Sequence, residues 1–162
     1  MRSSFKKSAR HNALLISLLI TPAICADEAL IPYEMFVLDN GLTLIVNEDH
    51  SAPVVSMATY YHVGSANEVP GRTGFAHLFE HLMFRGTERA PGSSFDDLME
   101  TGGGWNNAST SQDRTNYYET FTASDDNLEF ALKLEADRMV NSSIRAEDLQ
   151  TEMTVVRNEF ER

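Results

Sequence analysis

The rhythm of hydrophobic and polar positions changes several times along this chain. Residues 33–38 form a short extended segment, Asn40-Gly41 is a strong hairpin-turn pair, and residues 42–46 return as a strand. Residues 48–52 are polar and loop-like. Residues 54–63, rich in valine, tyrosine and threonine, predict a third strand. A loop over 64–73 leads to residues 75–84, which are apolar except at His77, Glu80 and His81. This stretch predicts one short helix between Gly74 and Gly86, with Gly86 as its stop. Its apolar residues surround the helix instead of forming a stripe, which predicts burial.

Beyond a loop at 87–92, Ser94 is expected to cap a short helix with Asp97 as its partner, and the helix ends at Gly102-Gly103-Gly104. Residues 105–111 and 114–122 predict two strands joined at Gln112-Asp113. Ser124 caps a helix with an apolar face of Leu128, Ala131, Leu132 and Met139. The final helix starts near Ala146, with Leu149, Met153, Val156 and Phe160 as its stripe. The order of strands, helix, strands and helices predicts an α+β fold with a mostly antiparallel sheet packed with helices.

The first 26 residues change the picture. Arg2, Lys6, Lys7 and Arg10 precede an apolar run at 13–20 and then small residues at 21–26. This reads as a secretory signal peptide over 1–26, ahead of a domain over 27–162. The run is too short for a comfortable membrane span. Removing it takes away four positive charges, so the net charge goes from −11 to −15. So acidic a chain is a poor nucleic-acid binder. Cys25 is the only cysteine, which excludes an internal disulfide. Export without disulfides suggests the periplasm or the cell exterior, with no membrane contact beyond the signal peptide.

The chemistry centres on His77-Leu78-Phe79-Glu80-His81. Residues four apart on a helix share a face, so both imidazoles can reach one ion, with Glu80 beside them. Such a site needs a third ligand. Glu152 and Glu159 lie seven residues apart on the last helix; about 700° of rotation nearly superimposes them at the border of its apolar face. Either could look into the site.

His-x-x-Glu-His is the inverted zinc motif. With residues 74–77 and 84–87 around it, the segment resembles the pitrilysin/insulinase family of zinc peptidases, which includes the mitochondrial processing peptidases. Asn40-Gly41-Leu42 resembles the family's usual beginning, residues 103–108 its Asn-Ala strand, and residues 152–159 its second glutamate motif. The resemblance covers residues 33–162. It implies one Zn2+ per chain, held by His77, His81 and Glu159, with Glu80 as general base and Glu152 as a catalytic-site acid supporting the metal from behind. It implies that Asn107 and Ala108 bind a peptide substrate by backbone pairing. It also implies that the chain is an incomplete N-terminal catalytic domain, needing a missing C-terminal half or a partner subunit. A non-catalytic metal-binding or assembly subunit, or an inactive fragment, is the alternative expectation.

Overall fold

The structure is a computed structural model that describes residues 31–92 and 94–162. The signal-peptide reading of 1–26 lies outside the described residues. The described chain falls into two units, one ending at Glu48 and one running from Asp49 to Arg162.

In the first unit, β1 (Glu34–Val37) pairs antiparallel with β2 (Thr43–Val46). Asn40-Gly41 makes the turn: Gly41 N–H donates to Leu38 O at 2.8 Å and Leu38 N–H to Leu42 O at 2.9 Å.

The second unit is built on a three-stranded antiparallel sheet. It contains β3 (Val54–Tyr61), β4 (Trp105–Thr110) and β5 (Thr115–Thr122), in the order β3-β5-β4. Register sets Val55, Met57 and Tyr61 of β3 on the same face as Thr115, Tyr117, Glu119 and Phe121 of β5 and as Asn106, Ala108 and Thr110 of β4. This face carries the helices. α1 (Phe75–Leu82) leans on β4 and β5, and α2 (Ser94–Thr101) on β4. α3 (Asp125–Asn141) covers β5, while α4 (Ala146–Phe160) packs along α1. Met99, Phe121 and Ala131 form the core, with Val55, Met57, Phe130 and Leu134 around them. Among the described residues no helix is long and apolar enough to cross a membrane.

Four expectations need correction. α1 ends at Leu82, so Gly86 is not its stop. Gly86 instead has φ +85° and bridges to Pro91, where a Cβ would collide with Ala90 O. α1 is also only partly buried: Phe75 and Phe79 are 49% and 44% exposed. On α3, Leu128, Leu132 and Met139 are exposed, and the buried set is Ala131, Glu135, Asp137 and Arg138. On α4, Met153 is 48% and Phe160 92% exposed, whereas Glu152 is buried. Both helices turn charged residues inward because those residues meet polar or charged partners there: Arg138 meets Glu119 and Glu135, Asp137 meets Thr87 and Asn141, and Glu152 meets His81 and Arg85. A pattern of apolar spacing cannot register such pairs.

Candidate metal centre

Two rows of side chains meet where α1 packs along α4. His77, His81 and Arg85 follow one another at spacings of four, and Glu152 and Glu159 at a spacing of seven. The two Nε2 atoms of His77 and His81 come within 3.1 Å of each other. Glu159 Oε2 lies 3.4 Å from His77 Nε2 and 3.6 Å from His81 Nε2. Among the described residues this is the one group of three or more such side chains whose donor atoms converge, all within 4.8 Å.

The size of this triangle can be tested against an ion. Zinc bonds of about 2.0–2.1 Å in a tetrahedron put ligand atoms roughly 3.3–3.4 Å apart. Sides of 3.1, 3.4 and 3.6 Å bracket that spacing. Two imidazoles and a carboxylate leave the fourth position open, the donor set of a catalytic zinc site. The residues present fit the group.

The next layer is equally ordered. His81 Nδ1 donates to Glu152 Oε2 at 3.0 Å, which puts the proton on Nδ1 and leaves the Nε2 lone pair facing the triangle. Glu152 is 3% exposed, and Arg85 Nη2 donates to its other oxygen. A buried carboxylate is thus held by one cation and one imidazole N–H.

Glu80 projects from α1 toward β4, where the Thr110 hydroxyl donates to its Oε2. Asn107 and Ala108 lie on the same strand, three and two residues before Thr110. Among the described residues β4 has a strand neighbour on one side only. The Ala108 N–H turns away from β5 and donates to Asn107 Oδ1 at 2.8 Å. An apolar cavity of about 490 Å³ opens beside Glu80, lined by Phe75, Phe79, Met83, Val63, Val69 and Tyr117 among others.

The helix is fixed at its start by Glu68, whose carboxylate accepts from Gly74 N (2.8 Å) and Ala76 N (2.7 Å). The loop before it is tied to the β4–β5 turn through Ser65 N to Ser111 O (3.1 Å) and Ala66 N to Gln112 O (2.7 Å). Gly64 permits that approach, since a Cβ there would meet Ser111 O and Gln112.

All seven expected site residues are therefore on two helices and one strand of the same unit. His77, His81 and Glu159 converge, Glu152 backs them, and Glu80 stands between them and β4. Arg85, Thr110 and Glu68 were missed. Arg85 extends the His77–His81 row, a signal the spacing carries; Thr110 reaches Glu80 from 30 residues away, and Glu68, though only six and eight residues before the N–H groups it holds, sits in a loop without periodicity to mark it.

A profile described as Insulinase (Peptidase family M16) matches residues 43–162, a span containing α1, β4 and α4. The chain belongs to the insulinase family of peptidases. Within that family it is 35% identical over 128 residues to the zinc protease PqqE of Helicobacter pylori, covering 78% of this chain and 28% of the relative. It is 32% identical over 124 residues to a probable mitochondrial-processing peptidase subunit beta of Arabidopsis thaliana, covering 76% and 23%. The first half of the periplasmic protease PqqL from Escherichia coli superposes with a TM-score of 0.73 at 26% identity, covering 80% of this chain and 29% of that one. This insulinase-family chain thus spans less than a third of the length of each.

Proposed function

We propose that this chain carries the metal-binding and proton-transfer residues of a zinc-dependent endopeptidase. The supporting observation is the triangle of His77, His81 and Glu159 donor atoms, sized for a tetrahedral ion and backed by the His81–Glu152 hydrogen bond. These three residues would hold one Zn2+ per chain. When bound there, zinc acidifies water and polarises a peptide carbonyl.

The remaining work falls to the chain's own side chains. Glu80, one residue before His81, takes the proton of the attacking water and returns it to the leaving amine. Thr110 holds Glu80 Oε2, so Oε1 is the atom left to take the proton. Glu152 keeps His81 in the tautomer that leaves Nε2 unprotonated. The edge of β4 turned away from β5 receives an extended peptide as an added strand at Asn107 and Ala108. That pairing requires the Asn107 carboxamide to release the Ala108 N–H. The cavity beside Glu80 offers room for an apolar side chain of the peptide.

Further substrate-binding groups would come from a C-terminal half or a partner subunit. The PqqL structure solved as a first half supports that division, and its periplasmic description agrees with export directed by residues 1–26. The complete donor set favours the peptidase over an assembly role.

The test is zinc content of the chain beside a His77→Ala/His81→Ala control, followed by cleavage of an unstructured peptide with a C-terminal half supplied. About one zinc per chain, absent in the control, is expected. Glu80→Gln should keep the zinc and lose roughly 10²- to 10⁴-fold in cleavage rate. A folded chain without zinc would sink the reading. Unchanged cleavage by the Glu80→Gln variant would remove Glu80 as the base.

A further inference from the structure

Beyond α1, on the helix-bearing face of the sheet, one buried cation meets two buried carboxyls. Arg138 and Glu135 on α3 are 2% and 4% exposed, and Glu119 on β5 is 1% exposed. Arg138 Nη2 donates to Glu119 Oε1 at 2.9 Å and to Glu135 Oε1. The second oxygen of each carboxyl, Oε2, is buried without a hydrogen-bond partner. Both carboxyls sit on the same Arg138 nitrogen, which brings them side by side.

If both were ionised, the cluster would carry one positive and two negative charges away from water, with two acceptors left unsatisfied. That combination is among the most costly a protein interior can hold. The neighbouring groups do not balance it. Tyr61 faces the cluster from β3 and Tyr117 from β5, and burial raises the pKa of both phenols, so they stay neutral. The Arg138 guanidinium lies 4.3 Å from the Tyr117 ring centre and 5.4 Å from that of Phe84, which follows α1. The more distant Glu80 carboxylate of α1 also acts on Tyr117, and adds negative charge.

We propose that Glu119 is a neutral acid at physiological pH, its Oε2–H donating to Glu135 Oε2, so that Glu119, Arg138 and Glu135 form an anchor of zero net charge for the end of α1. One proton satisfies both orphan oxygens and brings the cluster to zero charge. Burial first, then the hydrogen bond with Glu135, push the Glu119 carboxyl up to about 9. With its charge balanced, Arg138 stays packed against Phe84 and Tyr117. The rest of the anchor is beside it: Asp137 accepts the Thr87 hydroxyl, and Ser143 N–H donates to Gly86 O at 2.9 Å. α3 and Ser143 just beyond its end therefore grip residues 84–87, shortly after the metal-binding helix. The three residues act on the site through the contact of Arg138 with Phe84, as positioning residues. This role rests on reading α1 as the metal-binding helix; the location of the proton does not.

The experiment is an NMR titration of the glutamate carboxyl carbons in the zinc-free full chain, from about pH 5 to about pH 10. One carboxyl should titrate far above all the others. It should vanish in Glu119→Gln, whose carboxamide can donate to Glu135 as the neutral acid does, and the variant's melting temperature should no longer fall between neutral pH and pH 9. Glu135→Gln should move the high titration downward, because Glu119 then loses its negatively charged neighbour while Arg138 still favours its ionised form; an unmoved titration would remove Glu135 as the proton's acceptor. A wild-type chain whose glutamates all titrate in the ordinary range would overturn the proposal. So would a high-titrating carboxyl that survives in Glu119→Gln. The wild-type titration decides even where a variant fails to fold. Because no metal is present, failure here would leave the zinc reading standing, and absence of zinc binding would leave the protonated acid standing.

Discussion

A histidine offers a metal its lone pair at one nitrogen only while the other nitrogen keeps the proton. His81 meets that condition because the Glu152 carboxylate accepts from Nδ1, and Glu152 is itself held by Arg85. Glu152→Ala should therefore leave zinc bound but weaken it by roughly 10- to 100-fold, measured by competition with a chelator of known affinity. An unchanged affinity would mean that the Glu152 contact orients nothing. At this scale the sequence was most legible where spacing alone sets direction: His77, Glu80 and His81 are neighbours by helical geometry. The choice between Glu152 and Glu159 was not legible from rotation, which superimposes them. It required knowing that α4 lies along α1, with Glu152 beside Nδ1 of His81 and Glu159 beside Nε2.

At the scale of the element, the strands and helix starts followed their local chemistry. Asn40-Gly41 turns the hairpin, and Ser124 accepts from Asn127 N at 3.1 Å to open α3. Ser124→Ala should cost about 1 kcal/mol of stability, read by denaturant titration. Gly64 is a sharper test. Its backbone is extended, so a side chain is barred only by the β4–β5 turn against it. Gly64→Ala should cost about 1–3 kcal/mol and should loosen the loop that delivers α1. A neutral effect would show that the loop is free to move away. The helix faces were the least legible features. α3 and α4 bury Glu135, Asp137, Arg138 and Glu152, so their inward faces are chosen by charge pairing while several of their apolar residues lie outside. That choice depends on partners on β5, on α1 and on the loop after it, tens of residues away.

For the molecule as a whole, the α+β order was readable because each change of period marks an element, and both sheets proved antiparallel. Its stability should respond to pH from two opposite sides. Asp137 is held below the usual carboxylate range, chiefly by the Thr87 hydroxyl and then by Asn141. Its contribution is present above the unfolded-state value and is lost as pH falls through the folded one. Glu119 works in the other sense. Its raised pKa means the folded chain binds a proton that the unfolded chain has released, so stability falls as pH rises from the ordinary range toward about 9. Melting temperatures across pH should therefore pass through a maximum on the acid side of neutrality. A plateau continuing to pH 9 would contradict the contribution assigned to Glu119.

The donor triangle has a consequence for chain entropy. It joins His81 to Glu159, so an ion held there ties together two points 78 residues apart (159 − 81). A cross-link closing a loop of that length removes freedom worth roughly 4.5 kcal/mol from the unfolded chain in the loop-closure picture. With Cys25 as its only cysteine, the chain cannot build a permanent bridge of its own. Zinc would then be a reversible staple as well as a reagent. Stripping it with a chelator should lower the melting temperature, and amide exchange should quicken first along α4, whose hold on α1 the staple secures.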